Sequence, residues 1–278
     1  MKGMLFDIGR DSLVDGPGIR TTVFFKGCNL RCAWCHNPES QSPDPELLYY
    51  RDLCDGCGQC ARVCPNHLKT CDLCGQCVWH CPKDARRLCG RVYDADEVCG
   101  ILLRDTEYYA ASGGGVTFSG GECMLQIDFL EALLLRCREK GVHTAVDTAG
   151  NVPFERFERI LPHTGLFLYD VKCMDDARHR QYTGVGNALI LENLARLLKA
   201  GAPLWVRVPV IPGVNDTEAD IRSLRAFYEA NGWPGKTELL PYHALGENKY
   251  RAQGREPAIF TAPDGAQMQC LARIVTRE

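Results

Sequence analysis

The amino-acid sequence predicts an α/β protein, a partial (β/α)6 TIM-like barrel interrupted near its start by a small cysteine-rich domain. Three observations carry this. Short β-branched and aromatic runs alternate with amphipathic helical stretches, the pattern of βαβ units and a parallel sheet. Six such strands can be counted, whereas a complete barrel has eight and typically takes about 250 residues. And 11 of the 17 cysteines fall between Cys28 and Cys81. A doubly wound sheet is the fallback architecture.

In chain order, residues 21–26 (TTVFFK) are the first strand. The cysteine-rich part follows. Residues 94–109 are expected to be helical, with Asp94 as N-cap. Strand 115–119 (GVTFS) and helix 128–140 come next, then strand 143–148 (HTAVDT) and helix 153–161. Strand 166–172 (LFLYDVK), helix 187–200, strand 204–211 (LWVRVPVI), helix 217–231 and strand 237–243 (TELLPYH) complete the series. The expected division is residues 1–48 and 89–278 for the barrel and 49–88 for the insert.

The chain has 278 residues and a formal net charge of -3, which points to no nucleic-acid or membrane partner. No apolar run approaches the roughly 18 residues of a membrane span. Asp7 and Arg10 stand where a signal peptide would be apolar, so a cytoplasmic location is expected. Thiols there stay reduced, which favours metal binding over disulfides.

Two cysteine runs carry the insert. Cys54, Cys57, Cys60 and Cys64 precede Pro65, and Cys71, Cys74, Cys77 and Cys81 precede Pro82. Each spells C-x2-C-x2-C-x3-C-P, the bacterial ferredoxin run, in which the fourth cysteine ligates the other cluster. One [4Fe-4S] cluster is therefore expected on Cys54, Cys57, Cys60 and Cys81, and a second on Cys71, Cys74, Cys77 and Cys64. Zinc also uses paired C-x2-C, but the third internal cysteine and the C-P end fit iron–sulfur better. Only residues 65–70 separate the runs, so the insert is trimmed. The six cysteines without ligand spacing, Cys89, Cys99, Cys123, Cys137, Cys173 and Cys270, read mostly as small buried apolar residues.

Before the insert, Cys28, Cys32 and Cys35 form C-x3-C-x2-C. Three thiolates bind three irons of a cubane and leave the fourth open to a small molecule. With Trp34 as the aromatic, this loop resembles that of the radical S-adenosylmethionine (SAM) superfamily. The narrower resemblance is to the glycyl radical enzyme activating enzymes with a ferredoxin insert. It rests on DGPGIRTTVFFKGCNLRCAWCHNPES (15–40), FSGGE (118–122), DTAG (147–150), YDVK (169–172), VPVIPGVND (208–216) and LLPYHALGENKY (239–250), in that order. Cys123 and Cys173 depart from the proline and histidine common there.

The resemblance implies reductive cleavage of SAM at the Cys28, Cys32 and Cys35 cluster and hydrogen abstraction from a glycine of a partner enzyme. It implies SAM contacts from Gly120, Gly121 and Glu122, a nucleoside flanked by Trp34, His36 and His243, and contacts from Asp170, Val171, Lys172 and Arg207. It further implies a monovalent cation, sodium or potassium, on Asp147, Asp170 and the carbonyls of Thr148 and Leu168. Three [4Fe-4S] clusters and reduced flavodoxin or ferredoxin as electron donor complete the expected set. Two other readings stay open: a radical SAM enzyme acting on a small molecule, and an electron carrier using the insert alone.

Overall fold

The parallel strands expected from the sequence lie side by side in the computed structural model, which describes residues 1–276. The strands are β1 (Lys2–Ser12), β2 (Arg20–Phe25), β3 (Glu46–Tyr49), β4 (Arg86–Cys89), β5 (Arg91–Asp94), β6 (Gly115–Gly120), β7 (Thr144–Thr148), β8 (Leu166–Asp170), β9 (Leu204–Val210) and β10 (Lys236–Pro241). The main sheet has the order β10-β9-β8-β7-β6-β2-β1-β5. The six strands from β2 to β10 are parallel, and β1 joins β2 and β5 in antiparallel pairs. Among the parallel strands, order therefore follows the chain without the reversal of a doubly wound sheet. The sequence reading lacked β1 and β5, whose polar edge residues mask the period of two.

The helices are α1 (Gln59–Val63) and α2 (Gln76–Trp79) between β3 and β4, α3 (Ala95–Leu102), α4 (Thr106–Ser112), α5 (Ile127–Glu139), α6 (Phe154–Ile160), α7 (Asp176–Thr183), α8 (Ala188–Lys199) and α9 (Glu218–Asn231) leading into the successive parallel strands, and α10 (Glu247–Ala252) and α11 (Gly265–Val275) after β10. Asp94 caps α3, accepting from Asp96 N at 2.9 Å. The single helix expected over 94–109 is broken at Asp105, a residue with φ -107° and ψ 13° whose carboxylate is committed to Arg10 and Thr21. Thr217 forms a capping box with Asp220 at the start of α9.

One face of the sheet is the apolar core. Val116, Phe118, Val146, Phe167, Tyr169, Val206 and Val208 meet Leu130, Leu134 and Cys137 of α5, Phe157 of α6, Leu194 of α8 and Leu224 of α9. Because side chains alternate along a strand, residues between these point to the other face. There lie Thr117, Ser119, Ala145, Asp147, Leu166, Leu168, Asp170, Trp205 and Arg207, apolar low on the strands and ionic at their C-terminal ends. Arg20, fully buried, closes the lower end by donating to Thr117 Oγ1 and Val116 O, each at 2.6 Å. No helix among the described residues is long and apolar enough to cross a membrane.

Candidate active site at the strand ends

β2 runs directly into the loop of Cys28, Cys32 and Cys35. Lys26, at its end, is buried and donates to Glu39 O at 2.7 Å, Ser42 O at 3.2 Å and Glu46 Oε2 at 3.2 Å. The loop is pinned by Gly27 N to Ser40 O at 2.7 Å, Arg31 N to Thr183 O at 2.7 Å and Ala33 N to Tyr182 O at 2.9 Å. Tyr250 Oη donates to Cys32 O at 3.1 Å. Burial pushes the Cys28 and Cys32 thiols up to about 12 and raises Cys35, while the Lys172 ammonium opposes burial at all three. Thiols so placed ionise at neutral pH only against a strong positive charge, which a metal supplies.

Gly120, Gly121 and Glu122 end β6 against this loop. A Cβ on Gly121 would lie 2.2 Å from Gly27 O, and one on Gly120 2.4 Å from Phe25 N. The glycines thus let two strand ends meet. Glu122 N donates to Gly27 O at 2.8 Å. Its buried carboxylate accepts from Thr148 Oγ1 at 2.8 and 3.0 Å, Ala149 N at 3.2 Å and Met124 N at 3.2 Å. Burial pushes Glu122 up to about 7, with those donors holding it down.

Asp147, Asp170, Lys172 and Arg207 converge on the neighbouring ends of β7, β8 and β9. Arg207 Nη2 donates to Asp147 Oδ1 at 2.5 Å and its Nε to Asp170 Oδ1 at 3.2 Å. Lys172 Nζ donates to Asp170 Oδ2 at 2.6 Å, and Ser119 Oγ to Asp147 Oδ2 at 2.6 Å. Burial leaves Asp147 above its ordinary range despite Arg207. Burial acts on Asp170 too, but Lys172 and Arg207 together hold it below its ordinary range. Both cations are held more firmly protonated by these carboxylates, against burial. Ser119 is a member the sequence reading missed; its position two residues from Thr117 on the inner face was the available signal. Val171 is buried among apolar residues and donates its N–H to Arg207 O at 2.9 Å.

His36 and His243 stack with ring centroids 3.8 Å apart. Burial, with His243 and Lys172 nearby, drops His36 to about 4, so the ring is neutral at physiological pH. Trp34 is buried against Tyr182 and Phe260, each with centroids 6.1 Å away, and lines a narrow cleft with His36, His243 and Tyr250. Leu168 packs low on the inner face with Ala145 and Trp205.

Between β3 and β4, which pair in register from Glu46–Cys89 to Tyr49–Arg86, the two cysteine runs fold alike. Asp55 Oδ1 accepts from Cys57 N at 3.1 Å, and Asp72 Oδ1 from Cys74 N at 3.2 Å. Gly58 and Gly75, with φ of 73° and 76°, then start α1 and α2, which pack together. A cavity of about 160 Å³ is lined by Cys64, Cys71, Cys74 and Cys77. Among the described residues no three His, Cys, Asp or Glu side chains converge as a single metal ion would require. Of the six cysteines outside the motifs, Cys89, Cys123, Cys137 and Cys173 are buried, whereas Cys99 is half-buried and Cys270 exposed.

The profile of the Radical SAM superfamily matches residues 22–224. The chain is 40% identical to the choline trimethylamine-lyase activating enzyme of Oleidesulfovibrio alaskensis, over 94% of this chain and 90% of that protein. This chain belongs to the activating enzymes of the radical SAM superfamily. As a radical SAM activating enzyme it is also 42% identical to the isethionate sulfite-lyase activating enzyme of Nitratidesulfovibrio vulgaris, over 99% and 95% of the two chains. A solved domain of the pyruvate-formate lyase-activating enzyme of Bacteroides vulgatus is 34% identical, with a TM-score of 0.51 over 59% of this chain and 93% of that domain. Family membership implies a [4Fe-4S] cluster and SAM.

Proposed function

We propose that this protein activates a glycyl radical enzyme. Cys28, Cys32 and Cys35 would hold the site cluster, and the amino and carboxylate groups of SAM its open iron. When bound and reduced by an external one-electron donor, the cluster would supply the electron that cleaves the S–C5′ bond of SAM, and the chemistry would end in removal of a hydrogen from a partner's glycine. The observation that supports this reading is that β2 is parallel to β6 through β9, so the Cys28, Cys32 and Cys35 loop leaves the sheet at the same edge where Asp147, Asp170, Lys172 and Arg207 pair. In barrel enzymes the strand C-termini form the site. Strand order without reversal, with core helices on one face, supports the partial TIM-like barrel.

The chain's own groups then divide the work. Gly120, Gly121 and Glu122 hold β6 against the cluster loop and face the methionyl amine. Lys172 and Arg207 meet the carboxylate and ribose, oriented by Asp147 and Asp170, with Val171 fixing the strand end. Trp34, the neutral His36 and His243 flank the nucleoside. A sodium or potassium ion on Asp147, Asp170, Thr148 and Leu168 would share those carboxylates with Arg207 and so bind weakly.

We infer that residues 49–88 form a ferredoxin-like insert with two more [4Fe-4S] clusters. The cavity lined by Cys64 together with Cys71, Cys74 and Cys77 supports the crossed ligation. Reduced flavodoxin or ferredoxin would supply the electron in an anaerobic cytoplasm. The relatives named above, at 40% and 42% identity, carry the names of different lyases, so identity alone does not select the partner.

The test is anaerobic EPR on the reconstituted, reduced protein with SAM and the glycyl radical enzyme encoded nearest to its gene. An organic doublet that requires SAM and the partner's glycine is expected. Release of 5′-deoxyadenosine without a protein radical would move the substrate to a small molecule. Full iron with neither signal would leave an electron carrier.

A further inference from the structure

Arg86 opens β4, and the site at the strand ends assigns it nothing. It stands opposite Tyr49 in the β3–β4 pairing, and its guanidinium carbon lies 4.5 Å from the centroid of the Tyr49 ring. A cation over a ring face is held there by the ring quadrupole. Its Nε is buried and has no hydrogen-bond partner. The neighbouring Arg87 differs: its Nε donates to Asp84 O at 3.1 Å. A buried donor left without an acceptor is costly and rare, so the Arg86 Nε–H points to an acceptor that the protein itself does not supply.

The place for that acceptor is the cavity of about 160 Å³ that Arg86 lines together with Cys64, Cys71, Cys74 and Cys77. Among the described residues that line it, Arg86 is the only basic one, and Leu47, Leu68, Leu73 and Leu88 make much of the wall apolar. The carboxylate of Asp72 is occupied by the Cys74 N–H at 3.2 Å. The two cysteine runs are alike in spacing, but their surroundings are not. Lys69 holds the place after the first run that Arg86 holds after the second, and Lys69 is exposed.

We propose that Arg86 donates through Nε to the sulfurs of the cluster held by Cys64, Cys71, Cys74 and Cys77, raises its reduction potential, and so makes it unlike the cluster of the other run. Tyr49 is the positioning residue that keeps the guanidinium at the cavity wall. The inference rests on the two-cluster insert proposed above. Thiolate ligation leaves such a cluster net negative, and reduction adds to that charge. A cationic donor in an apolar wall therefore stabilises the reduced form more than the oxidised one.

The experiment is an EPR-monitored redox titration of the full-length reconstituted protein, with iron counted in every sample. The component followed is the one that Cys71→Ser removes. Arg86→Met keeps the stem and removes donor and charge, Arg86→Lys keeps the charge, and Tyr49→Leu removes the ring against the guanidinium. The expected result is a lower midpoint in Arg86→Met. At fixed potential its reduced-to-oxidised ratio falls by up to about tenfold, or roughly 59 mV for one electron. Tyr49→Leu shifts the same way by less, and Arg86→Lys stays nearer the parent. The other two components stay in place.

An unchanged midpoint in Arg86→Met with full iron overturns the proposal, as does an equal shift of both insert components. If Arg86→Met loses iron, Tyr49→Leu decides by the same criterion, because it leaves Arg86 intact. A parent protein with no component that Cys71→Ser removes overturns the two-cluster insert and takes this inference with it. A component that is present but unmoved in the variants overturns this inference alone.

Discussion

Replacing Arg207 by methionine separates a structural from a ligand-binding role for the guanidinium. The substitution keeps the stem and removes the fork that donates to Asp147 at 2.5 Å and to Asp170 at 3.2 Å. Asp170 retains Lys172 at 2.6 Å, but Asp147 retains only Ser119 Oγ at 2.6 Å. The unpaired buried charge therefore falls on Asp147. Breaking a buried pair by removing one partner costs about 3–5 kcal/mol. At about 2–4 °C per kcal/mol for a chain of this size, Tm drops by roughly 6–20 °C.

The drop depends on pH, and its sign is fixed by Asp147. Its folded pKa is already raised, chiefly by burial, and rises further without Arg207. Protonation then relieves the variant at low pH, and the relief is lost as pH rises through the folded pKa. The deficit grows as pH rises through the raised Asp147 pKa. Adding Asp147→Asn to Arg207→Met restores most of it. The assay is anaerobic calorimetry of the iron-loaded proteins without SAM, at one scan rate. A drop below about 2 °C, or one unchanged by pH and by Asp147→Asn, refutes the reasoning and leaves Arg207 a ligand contact only.

Three further outcomes are expected. Gly121→Ala places a methyl 2.2 Å from Gly27 O. It should strip the site cluster while sparing the insert, lowering iron from about 12 to about 8 per chain, which an iron assay with EPR reads. Cys64→Ser should deplete the same cluster as Cys71→Ser, and Cys81→Ser the other, as Mössbauer and EPR comparison of the three would show; identical losses in Cys64→Ser and Cys81→Ser would contradict the crossing. Glu122, raised by burial from 4.5 to about 7, should make the parent lose stability as pH rises across that window. The loss amounts to about 3 kcal/mol. Glu122→Gln should lack that slope in pH-dependent melts.

The parallel half of the sheet was legible because each strand is a short β-branched run and each core helix shows its stripe, as Leu130, Leu134 and Cys137 do on α5. The strands at the other edge were not. In β1, Leu5 and Gly3 are buried, but Asp7, Arg10 and Asp11 hide the alternation. Asp105 broke an apparently continuous helix because its carboxylate serves Arg10 and Thr21 across the fold, information no local window contains. At the site, motif spacing found the cysteines and the strand-end residues. It did not single out Ser119, whose role comes from a partner 28 residues away. Nor could it show that Arg207 is held by two carboxylates, since that depends on the register of Asp170 with Arg207 across β8 and β9.

That register sets two cationic side chains against the two carboxylates at the strand ends. Asp147 and Asp170 face Arg207 and Lys172, two negative and two positive charges held at 2.5–3.2 Å. The group as a whole is close to neutral, and Glu122 beside it, at about 7, is only part ionised at physiological pH. Under the proposed function, a ligand with its own carboxylate, amine and sulfonium would meet local, oriented charges there rather than a net field. Such preorganised dipoles discriminate position, because each acts over a few ångströms in a dry site. The same strands lower down carry Ala145, Leu168 and Trp205 in place of ions. Height along the inner face therefore separates packing from chemistry, and the cluster loop lies at the height where the ions are.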